Sequence, residues 1–243
     1  RYEGKKLRLT GAGEILRNAS LTMMHDEQSI QDEMRRTEEE QEIRFGATRT
    51  VGDALMGRIL ENYLKRYPDA KIHMEVENTR DLLSRLDNGE IDFALVEGFF
   101  QKSEYDFQKY SDEEYIAVCS PDYRFGKNPD CIENLFQERL LLREQGSGTR
   151  EVLERYLDAK NLTVQDFARV TEAGSLQTIK ELTKAGCGIT FLYEAAVRRE
   201  LEDGSLRQIP LRDFPVVHEF AFIWRRGSIY AEWYRELFRR FSA

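Results

Sequence analysis

Strand and helix alternate along these 243 residues, and the alternation runs through twice; nothing else in the sequence limits the fold as strongly. Ile43-Arg44-Phe45-Gly46-Ala47 is a short strand candidate, and 48–65 reads as a helix that ends before Tyr67-Pro68. Residues 71–77 alternate as a strand with Ile72, Met74 and Val76 on one face. A helix follows over 79–88 and stops at Gly89, and the apolar run 91–96 ends at Glu97-Gly98. The pattern restarts after Ser120-Pro121, with strands at 139–142, 168–172 and 188–192 and helices at 148–159, 175–185 and 194–201. A long apolar run at 216–224 and a terminal helix at 229–241 close the chain and would return it to the first unit. Such alternation implies α/β units with mainly parallel sheets covered by helices and joined by right-handed crossovers.

A different texture precedes the first strand. From Gly11 to about Glu42 the chain is polar and free of proline, with Leu16, Met23, Ile30 and Thr37 every seven residues and Met34 four beyond Ile30. This predicts one amphipathic helix of roughly 45 Å with a thin apolar stripe, one that seeks a partner helix. The same pattern also suits an ordinary surface helix, and Glu38-Glu39-Glu40 is most simply its solvated end.

Charge divides along the same line. The formal net charge is −8, so the body would repel a phosphate backbone. Residues 1–18 nevertheless hold five basic and two acidic side chains, a net +3 before a remainder of −11. No run of about 18 apolar residues predicts a membrane span. Cys119, Cys131 and Cys187 form neither a metal pattern nor a disulfide framework, and no apolar leader opens the chain. A reducing cytoplasm is the expected setting.

In open α/β sheets ligands bind beyond the carboxyl ends of strands, at helix N-termini. Hydroxyls stand at two such places, Thr48-Arg49-Thr50 and Gln145-Gly146-Ser147-Gly148-Thr149-Arg150. Free backbone N–H groups, hydroxyl donors and the positive helix end make each a site for an anion or carboxylate, and glycines let backbone approach closely. Simple capping by Ser147 and Thr50 is the competing role. Glu172-Ala173-Gly174-Ser175 is a third such turn, where Ser175 adds a ligand candidate or a cap. Glu97 ends a strand and would line the cleft, but no second carboxylate is paired with it in sequence.

The glycine-rich turn lacks the lysine of a phosphate-binding loop and the spacing of a dinucleotide fingerprint, so no nucleotide cofactor is expected. Catalytic and metal-ligating groups are not clustered. His25, His73 and His218 have no serine or cysteine beside them, and Ser147 lacks nucleophile-elbow flanks. Cys187, between Gly186 and Gly188, reads as a small core residue. The aromatic residues Phe220, Phe222, Trp224, Trp233, Tyr234 and Phe238 read as core.

Taken in order, several pieces resemble a LysR-type transcriptional regulator lacking most of its N-terminal winged helix-turn-helix. Leu9-Thr10-Gly11-Ala12-Gly13-Glu14 resembles the end of the wing and the start of the linker helix. Ile43 to Thr48 resembles the start of the effector-binding domain, and Tyr67-Pro68, Gly89, Asp92 and Glu97-Gly98 fit its next positions. Arg143 to Arg150 and Lys184-Ala185-Gly186-Cys187-Gly188-Ile189 match the second lobe. The resemblance implies two Rossmann-like lobes, akin to type II periplasmic binding proteins, preceded by a long linker helix. It implies a wing remnant at 1–13, a linker and dimerisation helix at 14–42, lobe I at 43–119 and 218–243, and lobe II at 120–217. It further implies a small anionic or carboxylate effector held by Thr48, Arg49 and Thr50 and by Ser147, Gly148 and Thr149. DNA contact through the missing domain, a homodimer or homotetramer, and no enzymatic activity complete the expectation. A transporter's solute-binding protein shares the lobes but has no use for the polar helix 12–42.

Overall fold

The computed structural model describes residues 2–3, 6–7, 9–35 and 42–242. A two-stranded antiparallel ribbon, β1 (Tyr2–Glu3) and β2 (Lys6–Leu7), precedes helix α1 (Gly11–Arg35). Lobe I begins with β3 (Glu42–Thr48), a short α2 (Arg49–Val51) and a π-helical turn (Gly52–Met56) running into α3 (Gly57–Arg66). It continues through β4 (Lys71–Glu77), α4 (Thr79–Asp87) and β5 (Phe93–Val96) to the long β6 (Tyr105–Cys119). The second lobe holds β7 (Arg139–Leu142), α5 (Gly148–Ala159), β8 (Arg169–Glu172), α6 (Leu176–Lys184), β9 (Thr190–Tyr193), α7 (Glu194–Glu202) and β10 (Arg207–Gln208). Strand β11 (Val216–Arg225) and helix α8 (Ala231–Phe241) return to lobe I. Thr37 and the acidic run Glu38-Glu39-Glu40 lie outside the described residues. Among the described residues no helix is long and apolar enough to cross a membrane.

Strand β6 belongs to both lobes. Residues from Tyr105 to Tyr115 pair with β11, whereas Tyr115 to Val118 pair with β9 and Val118 and Cys119 pair with β10. On the lobe I side the order is β6-β11-β5-β3-β4, with β4, β3 and β5 parallel. On the other side β7 pairs in parallel with β8 and meets β9 through a bridge between Leu140 and Ile189. Sequence reading missed β6, because its first half, with Gln108, Lys109, Asp112, Glu113 and Glu114, looks like polar loop. Pairing with β11 along one edge, and not apolar content, holds that stretch extended.

The lobe I core is aromatic. Phe93 stacks between Phe45 at 5.0 Å and Phe222 at 4.4 Å, and Phe241 of α8 meets it edge-on at 5.7 Å. These contacts fix the terminal helix on the sheet, and Phe220, Trp224 and Tyr234 are buried as expected of core. The second lobe closes around Phe191, Phe214 and Tyr156, with ring separations of 5.1 Å and 4.4 Å to Phe214. Cys187 is not a core residue but exposed. Its amide donates to Leu182 O at 3.0 Å, so it belongs to the turn that ends α6, before the buried strand begins.

Helix α1 lies on lobe I with its polar face. Thr22, His25 and Asp26 are buried there. Thr22 donates to Arg226 O at 3.0 Å, while Ser228 Oγ and Ile229 N donate to Asp26 at 2.6 and 3.0 Å. Burial works against the Asp26 charge, yet bonds from His25, Ser228 and Ile229 hold its carboxyl below the ordinary value. Arg225, wholly buried, pairs with Asp87 at 2.7 Å and donates to Asn18 O at 3.2 Å. Leu16, Met23, Ile30 and Met34 remain exposed on another face. Among the described residues nothing covers this apolar stripe.

Phe93→Ala removes the centre of the aromatic stack. Denaturant unfolding should show a loss of about 3–5 kcal/mol, as for other large-to-small aromatic changes in cores.

Candidate functional site between the lobes

Strands β3 and β5 are neighbours and parallel, and the chain leaves β3 for β4 on its other side. This is a topological switch point, where a crevice opens beyond the carboxyl ends of the strands. Thr48 ends β3 and Glu97 immediately follows β5, so the two are adjacent by construction. From the second lobe, the turn after β7 brings the N-terminus of α5 to the same point.

There, hydroxyls from both lobes converge on one carboxylate. Thr48 Oγ1 donates to Glu97 Oε2, and Thr149 Oγ1 donates to Glu97 Oε1 at 3.1 Å. Thr50 Oγ1 lies 3.0 Å from Thr149 Oγ1. Because Thr149 has a single hydroxyl proton and gives it to Glu97, Thr50 is the donor of that pair. Tyr115 OH donates to Thr149 O at 2.8 Å and Tyr193 OH to Glu97 O at 3.2 Å. Thr48, Thr50, Glu97 and Thr149 are each only 1% exposed.

The lobes touch closely here. A Cβ added to Gly148 would stand 2.7 Å from Gly98 Cα, so a side chain at that position would force the lobes apart. Arg49 spans the rim, with Nη2 3.4 Å from Glu77 and Nε 3.9 Å from Glu144. Arg143, nearly buried, holds Glu144 through two bonds of 2.8 and 2.9 Å.

Burial without a cation in direct contact governs Glu97. Desolvation pushes its carboxyl from the ordinary 4.5 up to about 7, against the opposing pull of the Thr50 and Thr149 hydroxyls and the Arg143 charge. The group is therefore divided between acid and carboxylate near neutral pH.

Capping does not account for the sequence-predicted hydroxyls of this cluster. Thr48 and Ser147 are the N-cap residues of α2 and α5, yet neither side chain makes a capping bond. Ser147 Oγ is buried and has no partner among the described residues. Ser175 is different: exposed, with its hydroxyl accepting from Thr178 N at 3.2 Å, it caps α6 and is not part of the buried cluster. His25 is satisfied inside the α1 contact, His73 is exposed, and His218 packs against Phe99 with rings 4.6 Å apart.

Sequence reading missed Thr79, Arg143, Tyr115 and Tyr193. Thr79 opens α4 after β4, the same strand-to-helix signal that found Thr48, and its buried Oγ1 also lacks a partner. A cavity of about 400 Å³ adjoins the cluster, lined in part by Thr79, Arg80, Phe99, Gly146 and Glu151. The two tyrosines are direct cross-strand neighbours in β6 and β9, a relation that only the sheet register shows.

Two lobes sharing long strands, with a hydroxyl-lined junction at their switch point, define an effector-binding domain of the periplasmic-binding-protein type. The profile of the LysR substrate binding domain matches residues 36–242, and the chain belongs to that family. It is 26% identical over 222 residues to the HTH-type transcriptional regulator YeiE of Escherichia coli, covering 91% of this chain and 73% of that one. Among solved structures, the Synechocystis CcmR regulatory domain in complex with 2-PG matches with a TM-score of 0.70 at 23% identity, over 81% of this chain and 95% of that one. An H2O2-bound OxyR variant of Corynebacterium glutamicum matches with a TM-score of 0.72 at 21% identity, over 100% of this chain and 77% of that one. These structural likenesses establish the fold: two Rossmann-like lobes of the type II periplasmic-binding-protein kind.

The Glu97 carboxyl gives a signed pH prediction. Between its ordinary value of 4.5 and its folded value of about 7, the folded chain holds one more proton than the unfolded chain. Its contribution to stability is fully present at low pH and is lost as pH rises through 7. Glu97→Gln removes the titration. The stability of the wild type relative to the variant should fall by about 3 kcal/mol between about pH 4 and about pH 8, measured by denaturant unfolding.

Proposed function

We propose that this chain is the effector-sensing and oligomerisation region of a LysR-type DNA-binding transcriptional regulator, binding a small anionic or carboxylate effector between its lobes. The observation that carries this reading is the meeting of Thr50 and Thr149, one from each lobe, at 3.0 Å beside two helix N-termini. The ligand-binding set is Thr48, Arg49, Thr50, Glu97, Ser147, Gly148 and Thr149, with Ser175 at the margin. Residues 43–119 with 218–243 act as one lobe and 120–217 as the other. An effector that bridges them shifts their closure only through unequal affinity for two arrangements.

Helix α1, within the linker 14–42, carries the change onward. Its polar face is tied to lobe I, so closure moves the second lobe against a unit of lobe I plus helix. The exposed stripe of Leu16, Met23, Ile30 and Met34 then pairs two copies as a dimer, or as the dimer within a tetramer. DNA is read through an N-terminal domain preceding Arg1, of which 1–13 and its two-stranded ribbon are the wing remnant. A cytoplasmic regulator without enzymatic activity fits these parts, and YeiE, a relative, is named as a transcriptional regulator. The helix has no role in a transporter's solute-binding protein.

Two experiments test the reading. A thermal-shift screen of small anions and carboxylates should return a stabilising compound, by linkage. In calorimetry the double variant Ser147→Ala, Thr50→Ala should bind that compound at least about tenfold more weakly, the loss expected when a site is deprived of hydroxyl donors. Unchanged affinity overturns the site. For assembly, light scattering should give a dimer or tetramer at micromolar concentration, and Met23→Glu should drive it toward monomer. A monomeric wild type overturns the role of the helix.

A further inference from the structure

The anion site described above already contains an anion-forming group. Glu97 stands at the switch point and takes the Thr48 hydroxyl on one oxygen and the Thr149 hydroxyl on the other. A ligand oxygen arriving between the helix N-termini meets this carboxyl. Two oxygens that can only accept repel each other, and burial weakens the screening that water would supply. One proton between them converts the clash into a short, charge-assisted hydrogen bond.

Resting on the cleft reading and sharpening it, we propose that the interlobe site binds an oxyanion together with one proton shared with Glu97, and therefore favours oxyanions that keep a proton of their own, of the hydrogenphosphate kind, over fully deprotonated ones such as sulfate. The remaining partners are in place. Ser147 and Thr79 are buried hydroxyls without a partner among the described residues. The first amides of α5 are open to an anion, because its N-cap side chain makes no bond to them. Thr79 Oγ1 lies at the junction itself, 3.0 Å from the position of a Cβ built on Gly148.

The groups around Glu97 leave the proton to it or to the ligand. Tyr115 of β6 and Tyr193 of β9 are held well above their ordinary value by burial, so both stay neutral. His218 of β11 is lowered by burial and is uncharged above neutral pH. Arg143, in the turn after β7, is a fixed cation that gives Nε and Nη2 to Glu144, while its buried Nη1 has no partner among the described residues. The hydroxyls of Thr48 on β3, Thr50 on α2 and Thr149 on α5 do not titrate in this range. Above pH 7 a sulfate must draw its proton from solution onto Glu97, whereas hydrogenphosphate brings one.

Titration calorimetry with inorganic phosphate and with sulfate, on the full chain, separates the possibilities. Between about pH 7.5 and about pH 8.5 sulfate affinity should fall about tenfold per pH unit, while phosphate affinity changes less than about threefold. In Glu97→Gln the amide supplies a donor at every pH, so the sulfate trend should vanish and the two anions should bind within about threefold of each other. Sulfate binding that is flat with pH in the wild type, or a selectivity that survives Glu97→Gln, overturns the proton rule. If Thr149→Ala still abolishes binding in that case, the cleft reading stands without it. Failure of the wild type to bind either anion overturns this proposal, and a blank thermal-shift screen as well would take the cleft reading with it.

Discussion

A single strand that serves both lobes sets the terms for everything else in this chain. β6 spends its first ten residues beside β11 and its last four or five beside β9 and β10. Backbone hydrogen bonds to β11 hold its first part, and bonds to β9 and β10 hold its last part. The passage between the lobes is then confined to a small region near Tyr115, where the partner changes. The same residue reaches from that passage into the site and holds the Thr149 carbonyl. The change of strand partner and the hydroxyl cluster between the lobes are thus built from one stretch of chain.

Much of this was legible in the order of the residues. The strand and helix periods named the two α/β units, and hydroxyls after strands named Thr48, Thr50, Ser147 and Thr149. Periodicity works there because one face of each element is buried. It failed at β6, whose polar first half is held by pairing, and at the π-helical turn Gly52–Met56, where a changed hydrogen-bond step leaves composition untouched. It failed at Cys187 because a small apolar-flanked residue looks alike in a strand and in the turn before it.

The site was legible as a list and not as an arrangement. Glu97 seemed a lone carboxylate because its partners are 49 and 52 positions away in sequence. Only the sheet order places β3 beside β5, and only the lobe junction adds Thr149. The pairing of Tyr115 with Tyr193 is likewise a matter of register. Thr48 and Ser147 look like helix caps in sequence, yet Thr48 gives its hydroxyl to the Glu97 carboxyl and Ser147 has no partner among the described residues.

The buried contact of α1 has a mechanical consequence. The helix of 25 residues is about 38 Å long and rests on lobe I through one polar face near its middle. A rigid rod fixed partway along its length acts as a lever. A turn of only 10° about the Thr22–Asp26 contact would carry the end near Gly11 sideways by roughly 3 Å. Small rearrangements inside lobe I would therefore reach the start of the chain magnified, and the fidelity of that transfer would rest on a few hydrogen bonds around Asp26 and Arg225.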